Sequence, residues 1–184
     1  MNNMPQQIGL VLAGGKSRRM GRNKADLRLQ GQSFLDVARD TLSAAGCQQV
    51  LVSGPNGIPD RYADAGPLAG LDAAIAGLAN EVLLLVIPVD MPKLQPDLLA
   101  ELAGKIGQKP GLYFERHPMP FCLRVCDDLR HNLQATLGKP DADRSLFCLF
   151  RQMQFAAMPV DATNSEQFLN CNTSDEFAAL EHTK

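Results

Sequence analysis

The chain has 184 residues, of which 45% are hydrophobic and 21% charged; this is the composition of an ordinary globular protein with room for one domain and a sizeable core. The formal net charge of −2 at pH 7 does not favour nucleic acid or an anionic membrane as a partner. The five cysteines form no C-x-x-C pair, which argues against a disulfide framework or a structural zinc site.

The first residues, MNNMPQQ, have neither the basic residues nor the apolar stretch of a signal peptide. No apolar run approaches the ~20 residues that a membrane span needs. We therefore expect a cytoplasmic protein.

The first predicted element is a buried strand, from Ile8 to Leu12, followed at once by Gly14 and Gly15. Paired glycines allow backbone N–H groups to approach a ligand, and successive N–H groups form a concavity that binds anions. Residues 16–24 contain no acid and five cations, namely Lys16, Arg18, Arg19, Arg22 and Lys24. The pattern predicts a loop that binds nucleotide phosphates, although the spacing matches neither a P-loop nor a Rossmann glycine motif. The alternative is that Gly14 and Gly15, which we call the glycine turn, only end the strand, and that the basic residues after them are a solvated stretch.

Strands and helices then alternate. A helix is predicted over 32–45, with Ser33 as its N-cap, and a second strand is predicted around 50–52. A loop rich in glycine and proline follows and carries Asp60. The stretch from Gly66 to Gly70 opens a helix that runs to about Leu78.

The most apolar run, 82–87, predicts a strand buried on both faces. Strands that alternate with helices imply βαβ units, so we expect an α/β fold of three layers with a mainly parallel sheet. In such sheets ligands bind beyond the carboxyl ends of the strands, where Gly14 and Asp90 would share one cleft.

Asp90 lies between two prolines just after this strand. An aspartate in this position is usually a turn residue or a helix cap. A carboxylate facing a polyphosphate would repel it unless a divalent cation stood between them, and magnesium is commonly held by one or two carboxylates together with phosphate oxygens. The basic loop and Asp90 therefore predict a Mg²⁺ site.

The second half is less regular. Helices are predicted over 96–106, 127–137, around 146–150 and over 174–180, and strands over 111–115, 121–126 and 154–158. A turn at 116–118 would separate the first two of these strands. Cys122 and Cys126 would lie on one face of the second strand, and Asn170 and Asn172 would point the same way from an extended segment.

Four motifs in this order resemble those of the molybdenum cofactor guanylyltransferases: L-A-G-G-K-S-R-R-M-G-x-x-K at 12–24, G-P-L-A-G-L at 66–71, P-V-D-M-P at 88–92 and F-L-N-C-N-T at 168–173. The resemblance implies a single domain over residues 1–184 with the Rossmann-like fold of the nucleotidyltransferases that includes the nucleotide-diphospho-sugar transferases. Its N-terminal half would bind the nucleotide and its C-terminal half the acceptor.

The resemblance also implies the reaction: a Mg²⁺-dependent transfer of GMP from GTP to molybdopterin cofactor, with release of pyrophosphate. Arg19, Lys24 and Asp90 would be catalytic, and Asp90 would be the metal ligand. The residues implied to bind the nucleotide or cofactor are Leu12, Ala13, Gly14, Gly15, Lys24, Ser53, Asp60, Gly66, Gly70, Asp90, Asn170 and Asn172. Arg116, His117, Arg144 and Ser145 would border the acceptor. Molybdoenzymes or their chaperones would be further partners.

The sequence departs from the family pattern at four places. Lys24 arrives one residue earlier than in some members, Ser53 stands where several members have asparagine, the 54–65 loop is compact, and Ser174 follows Thr173 where proline is usual. These departures bear on base specificity and loop geometry more than on the reaction class. The alternatives among the enzymes are a cytidylyltransferase acting on molybdopterin and a sugar-phosphate nucleotidyltransferase. A nucleotide-binding sensor or assembly partner is the alternative outside the enzymes.

Overall fold

A mixed β-sheet organises the part of the chain that this computed structural model describes, residues 5–14, 28–29, 31–55 and 57–171. Within it, six strands have the order β4-β1-β5-β7-β6-β8, and β2 and β3 form a separate small hairpin. The strands are β1 Gln7–Leu12, β2 Arg28–Leu29, β3 Gln32–Ser33, β4 Gln49–Ser53, β5 Leu83–Pro88, β6 Gly111–Phe114, β7 His117–Arg124 and β8 Ala156–Met158. The helices are α1 Phe34–Ala44, α2 Pro67–Ile75, α3 Pro96–Lys105, α4 Asp127–Leu137 and α5 Leu146–Gln152, followed by a 3-10 helix at Ala162–Phe168.

The α/β class is confirmed, but the sheet is mixed rather than purely parallel. Strand β1 pairs in parallel with β4 and β5, and β6 pairs in parallel with β8. Strand β7 runs antiparallel to both β5 and β6. The reason is that β6 and β7 form a hairpin, and its second strand inserts beside β5.

Two apolar clusters pack on opposite faces of the sheet. Val11, Leu85 and Ile87 belong to one cluster, together with residues of α1 and α3. Their neighbours Leu10 and Val86 belong to the other, with residues of α2, α4 and α5. Since successive side chains of a strand point to opposite faces, this alternation places helices on both sides and gives the three predicted layers.

Most predicted elements appear within a few residues of their expected bounds. Ser33 caps α1 as predicted, because its side-chain oxygen accepts a hydrogen bond from the Asp36 N–H at 3.1 Å. Helix α2 ends at Ile75 rather than near Leu78. None of the described helices combines the length and apolar character that a bilayer crossing requires.

Several predictions in the second half were wrong in detail. The hairpin turn is shorter than expected, since β7 already begins at His117. Cys126 is the N-cap of α4 and does not share a strand face with Cys122. Residues 162–168 form a 3-10 helix that no periodicity indicated. The helix predicted over 174–180 lies outside the described residues.

Candidate active site

A cavity of about 600 Å³ opens where β1, β4 and β5 end. Eight of the predicted site residues line it: Leu12, Ala13, Gly14, Ser53, Asp60, Gly66, Gly70 and Asp90. Gly15, Arg19, Lys24 and Asn172 lie outside the described residues. The structure thus brings together residues from widely separated parts of the chain at the carboxyl ends of three parallel strands, the position at which such sheets bind ligands.

Backbone contacts tie the three strand ends together beneath the cavity. The Ala13 N–H donates to the Ser53 carbonyl at 3.0 Å, and the Val89 N–H donates to the Leu12 carbonyl at 3.2 Å. Gly54 has φ 120°, and a β-carbon there would lie 2.9 Å from the Gly14 nitrogen. Only glycine allows this backbone approach, so Gly54 lets the end of β4 pack directly against Gly14.

Helix α2 approaches the end of β4 through Gly70. A β-carbon on Gly70 would lie 2.5 Å from the Ser53 side-chain oxygen. Ser53 is 1% exposed and lies at the cavity floor. The pair Ser53 and Gly70 therefore lets the first turn of α2 form one wall of the cavity.

Asp60 reaches across the loop after β4 towards the glycine turn. One of its carboxylate oxygens would be 3.6 Å from a β-carbon on Gly14. The side chain is largely exposed, and partial desolvation raises the pKa of this carboxyl. Asp60 is therefore placed to accept hydrogen bonds from a ligand that lies over the turn.

Asp90 also lines the cavity, half-buried just after the end of β5. The Cys171 N–H donates to its backbone carbonyl at 2.7 Å, which places the neighbouring Asn170 close to the loop that carries Asp90. Over the described residues, no three His, Cys, Asp or Glu side chains gather as a metal-binding group. One carboxylate facing a cavity suits a hard cation that takes its other ligands from phosphate and water.

Three of the residues that were predicted to border the acceptor make contacts within the fold. His117 packs on Phe168 with ring centroids 4.2 Å apart, and burial lowers the pKa of its imidazole. Arg144 donates to the carbonyls of Leu137 and Lys139 at 3.2 and 3.0 Å. The Ser145 side chain accepts from the Cys148 N–H at 3.2 Å and caps α5. The acceptor roles of these residues stay predictions.

The cavity has further lining residues that were not predicted as site residues, among them Gly54, Pro55, Asp64 and Met119. Met119 reaches the cavity because β7 runs antiparallel to β5, so its amino end meets the carboxyl end of β5. Asp64 stands just before the G-P-L-A-G-L motif, and its position in the same loop as Asp60 was the available signal.

Comparison with known proteins gives consistent results across the chain. The MobA-like NTP transferase domain matches residues 9–154. The molybdenum cofactor guanylyltransferase of Xanthomonas euvesicatoria pv. vesicatoria (strain 85-10) is 39% identical over 95% of this chain and 94% of its own. The protein of the same name from Rhizobium leguminosarum bv. trifolii (strain WSM2304) is 33% identical, over 94% of this chain and 90% of its own.

A solved structure shares the fold. The molybdopterin-guanine dinucleotide biosynthesis protein A from Archaeoglobus fulgidus superposes with a TM-score of 0.75 at 20% identity, over 95% of this chain and 96% of that one. The family domain covers all the strands and helices from β4 to α5, and the similar structure extends the agreement to nearly the whole fold. The chain therefore belongs to the family of MobA-like NTP transferase domains.

Proposed function

We propose that the protein transfers GMP from GTP to the terminal phosphate of molybdopterin cofactor and releases pyrophosphate. The observation that carries the proposal is the shared cavity, in which Gly14 and Asp90 face the same space from the ends of β1 and β5. The relatives named molybdenum cofactor guanylyltransferase support the choice of substrates. The reaction would take place in the cytoplasm and supply molybdoenzymes, directly or through their chaperones.

The chemistry needs no covalent intermediate with the enzyme. An oxygen of the acceptor phosphate attacks the α-phosphorus of GTP in line, and the bond from that phosphorus to the oxygen of the leaving pyrophosphate breaks. Transfer at phosphorus is catalysed mainly by positioning and by neutralising the charge on phosphate oxygens. The acceptor phosphate is already ionised near neutral pH, so the mechanism requires no general base. His117 therefore needs no role in proton transfer.

We assign the triphosphate to the glycine turn and the basic residues after it. Backbone N–H groups of Gly14 and Gly15 would bind phosphate oxygens, since successive amides form an anion site. Arg19 and Lys24 would neutralise charge that develops as the phosphorus–oxygen bond breaks. Leu12, Ala13, Ser53, Asp60, Gly66 and Gly70 would form the remaining nucleotide contacts.

Asp90 would hold the magnesium ion, with Asn170 and Asn172 nearby. A bound Mg²⁺ would supply positive charge that offsets the negative charge of the phosphate oxygens. Asp90 itself is fixed for this task by the end of β5 and by the hydrogen bond from Cys171 to its carbonyl. Its own contribution would be one carboxylate at the cavity that Gly14 also lines.

The test is incubation of the protein with Mg²⁺, molybdopterin cofactor and each of GTP, CTP, ATP and UTP, with the product identified by mass. We expect the guanine dinucleotide and pyrophosphate from GTP, and far slower reaction with the other three nucleotides. Preference for CTP would make the protein a cytidylyltransferase. Tight binding of GTP with no pyrophosphate released in the presence of the authentic acceptor would contradict an enzymatic function.

A further inference from the structure

An ion pair between the half-exposed Arg61 and the buried Asp72 joins the loop after β4 to helix α2. The Arg61 guanidinium donates through Nε to one Asp72 carboxylate oxygen at 2.9 Å, and its Nη2 lies 2.8 Å from the other. The Asp72 side chain is 1% exposed, whereas that of Arg61 is 47% exposed. This two-point contact is the geometry in which arginine holds a carboxylate most firmly.

The position of Asp72 is costly for folding. The other residues of α2 from Leu68 to Ile75 are buried and non-ionisable, and removing a carboxylate from water is expensive even when it is paired. An apolar side chain of similar volume would pack there without that cost, and replacing buried pairs in this way is often neutral or stabilising. Stability alone therefore does not explain the pair.

What the pair does hold is a wall of the cavity. We call residues 59–65 the wall segment; its Pro59, Asp60, Asp64 and Ala65 line the cavity. Before it, Ile58 is fixed to β4, because its N–H donates to the Val52 carbonyl at 2.8 Å. After it comes α2, whose Gly66, Pro67 and Gly70 line the same cavity. Arg61 lies between these two anchors.

Arg61 and Asp60 are adjacent but contact different parts of the molecule. Asp60 approaches the glycine turn at Gly14, and Arg61 is bound to Asp72 on α2. Binding of the guanidinium at two points limits how far the wall segment can swing away from Gly14. The helix that receives Arg61 also supplies the Ser53–Gly70 contact at the cavity floor, so the wall and the floor share one support.

We propose that Arg61 is a positioning residue for the nucleotide half of the site, acting through Asp72 to hold Asp60 over the glycine turn. This inference rests on the proposed function, since it takes the ligand over the turn to be GTP. The Arg61–Asp72 pair sets the affinity of the site for the nucleotide. The acceptor side and the turnover at saturating GTP do not depend on it.

The experiment separates positioning from stability with one single and one double variant. Arg61→Ala leaves the Asp72 carboxylate buried and unpaired, so its Tm falls by several degrees. Arg61→Ala combined with Asp72→Leu removes both charges and fills the space, so its Tm returns to near that of the wild type. We expect both variants to raise the Kd and KM for GTP about tenfold, with kcat and the acceptor KM within about twofold of the wild type.

Arg130→Ala is the matched control. Arg130 also pairs with an aspartate, Asp127, at 3.2 Å and donates to the Leu78 carbonyl beyond the far end of α2. Its loss lowers stability but leaves the wall segment anchored, so the KM for GTP stays unchanged. The inference is wrong if the double variant regains wild-type affinity for GTP together with its Tm. It is also wrong if Arg130→Ala weakens the binding of GTP equally, because the pair would then be only structural.

Equilibrium binding of GTP distinguishes failure of this inference from failure of the proposed function, because binding needs no turnover. The double variant should bind GTP about tenfold more weakly than the wild type, whereas Arg130→Ala should bind it equally well. A wild-type protein that releases no pyrophosphate from GTP overturns the proposed function, whatever the binding shows. Equal affinity of the double variant and the wild type for GTP overturns the inference, whatever the turnover shows.

Discussion

The first half of the fold, up to α3, and the second half, from β6 onwards, use their polar residues in different ways. In the first half, Asp60 and Asp90 project from strand ends or loops into the cavity. In the second, Arg144 and Ser145 satisfy helix ends, and His117 packs against Phe168. Residue type alone therefore does not mark a site, because position decides whether a polar residue lines the cavity or caps a helix.

Strand direction explains much of this difference. Parallel strands β1, β4 and β5 deliver three carboxyl ends to one edge of the sheet, so their following loops converge on one cavity. Strand β7 is antiparallel to β5 and delivers its amino end there instead. The second half consequently reaches the cavity through Met119, an apolar side chain that forms a wall but carries no charge.

The largest effect should come from Asp90. Asp90→Asn keeps the volume of the side chain but removes the charge that would hold the metal, so we expect kcat to fall by roughly 10²–10³-fold with an unchanged fold. Steady-state pyrophosphate release and circular dichroism measure the two quantities. Asp128→Asn, an exposed aspartate in the first turn of α4, is the control and should keep its activity. Full activity of Asp90→Asn at saturating Mg²⁺ would remove Asp90 from the mechanism.

Gly54 should be a sensitive backbone position at the cavity. Gly54→Ala places a β-carbon 2.9 Å from the Gly14 nitrogen at φ 120°, so we expect a loss of about 2–3 kcal/mol in the free energy of unfolding and weaker binding of GTP. Denaturant unfolding and nucleotide titration check these outcomes. Gly104→Ala in α3, where an added β-carbon has no neighbour within 4 Å, should be neutral or stabilising. Equal behaviour of the two variants would mean that the close approach is unimportant.

Arg144→Ala tests whether the polar residues of the second half serve the fold. Its guanidinium is bound to the Leu137 and Lys139 carbonyls, so Arg144→Ala should cost about 1–2 kcal/mol of stability and leave the KM for the acceptor nearly unchanged. Thermal unfolding and acceptor titration measure both. A large rise in that KM without loss of stability would support the acceptor role that the family resemblance implies, and the contrast between the halves would weaken.

Asp60 should give the smallest effect on stability and a distinct dependence on pH. Desolvation raises the pKa of its carboxyl, so GTP affinity should fall as the pH drops through that raised value, because a protonated carboxyl accepts hydrogen bonds less well. Titrations of GTP from pH 7.5 to 4.5 should show a steeper loss of affinity in the wild type than in Asp60→Asn. The variant is the control, because protonation of the nucleotide affects both proteins equally. Identical slopes would exclude a role for the Asp60 charge.

The contribution of Asp60 to stability depends on pH with the opposite sign to its contribution to GTP affinity. A carboxyl whose pKa is raised on folding contributes stability below its ordinary pKa and loses it as the pH rises through the folded value. Asp60→Asn should therefore have a Tm at pH 7 that is equal to or slightly above that of the wild type, by no more than about 2 °C. A clear fall in Tm would show that the ionised carboxylate stabilises the fold.

Much of the first half could be predicted because its signals are local. The apolar run at 82–87 and the Ser33 cap each indicate their own structure within a few residues. Strand direction depends on distant partners: nothing in the apolar pattern of β7 indicates that it inserts antiparallel beside β5. The role of Arg61 depends on Asp72, eleven positions away on an apolar helix, and only the folded chain shows that these two charges meet.

The central claim is that Asp90 and the glycine turn bind one nucleotide from opposite sides, with a divalent cation at the carboxylate. Crystals of the protein grown with GTP and Mn²⁺ test it directly, because manganese gives an anomalous signal. The account predicts an anomalous peak bonded to the Asp90 carboxylate, with the triphosphate lying between it and the Gly14 amide. A triphosphate bound elsewhere, or a nucleotide in this cavity with no metal at Asp90, would contradict it.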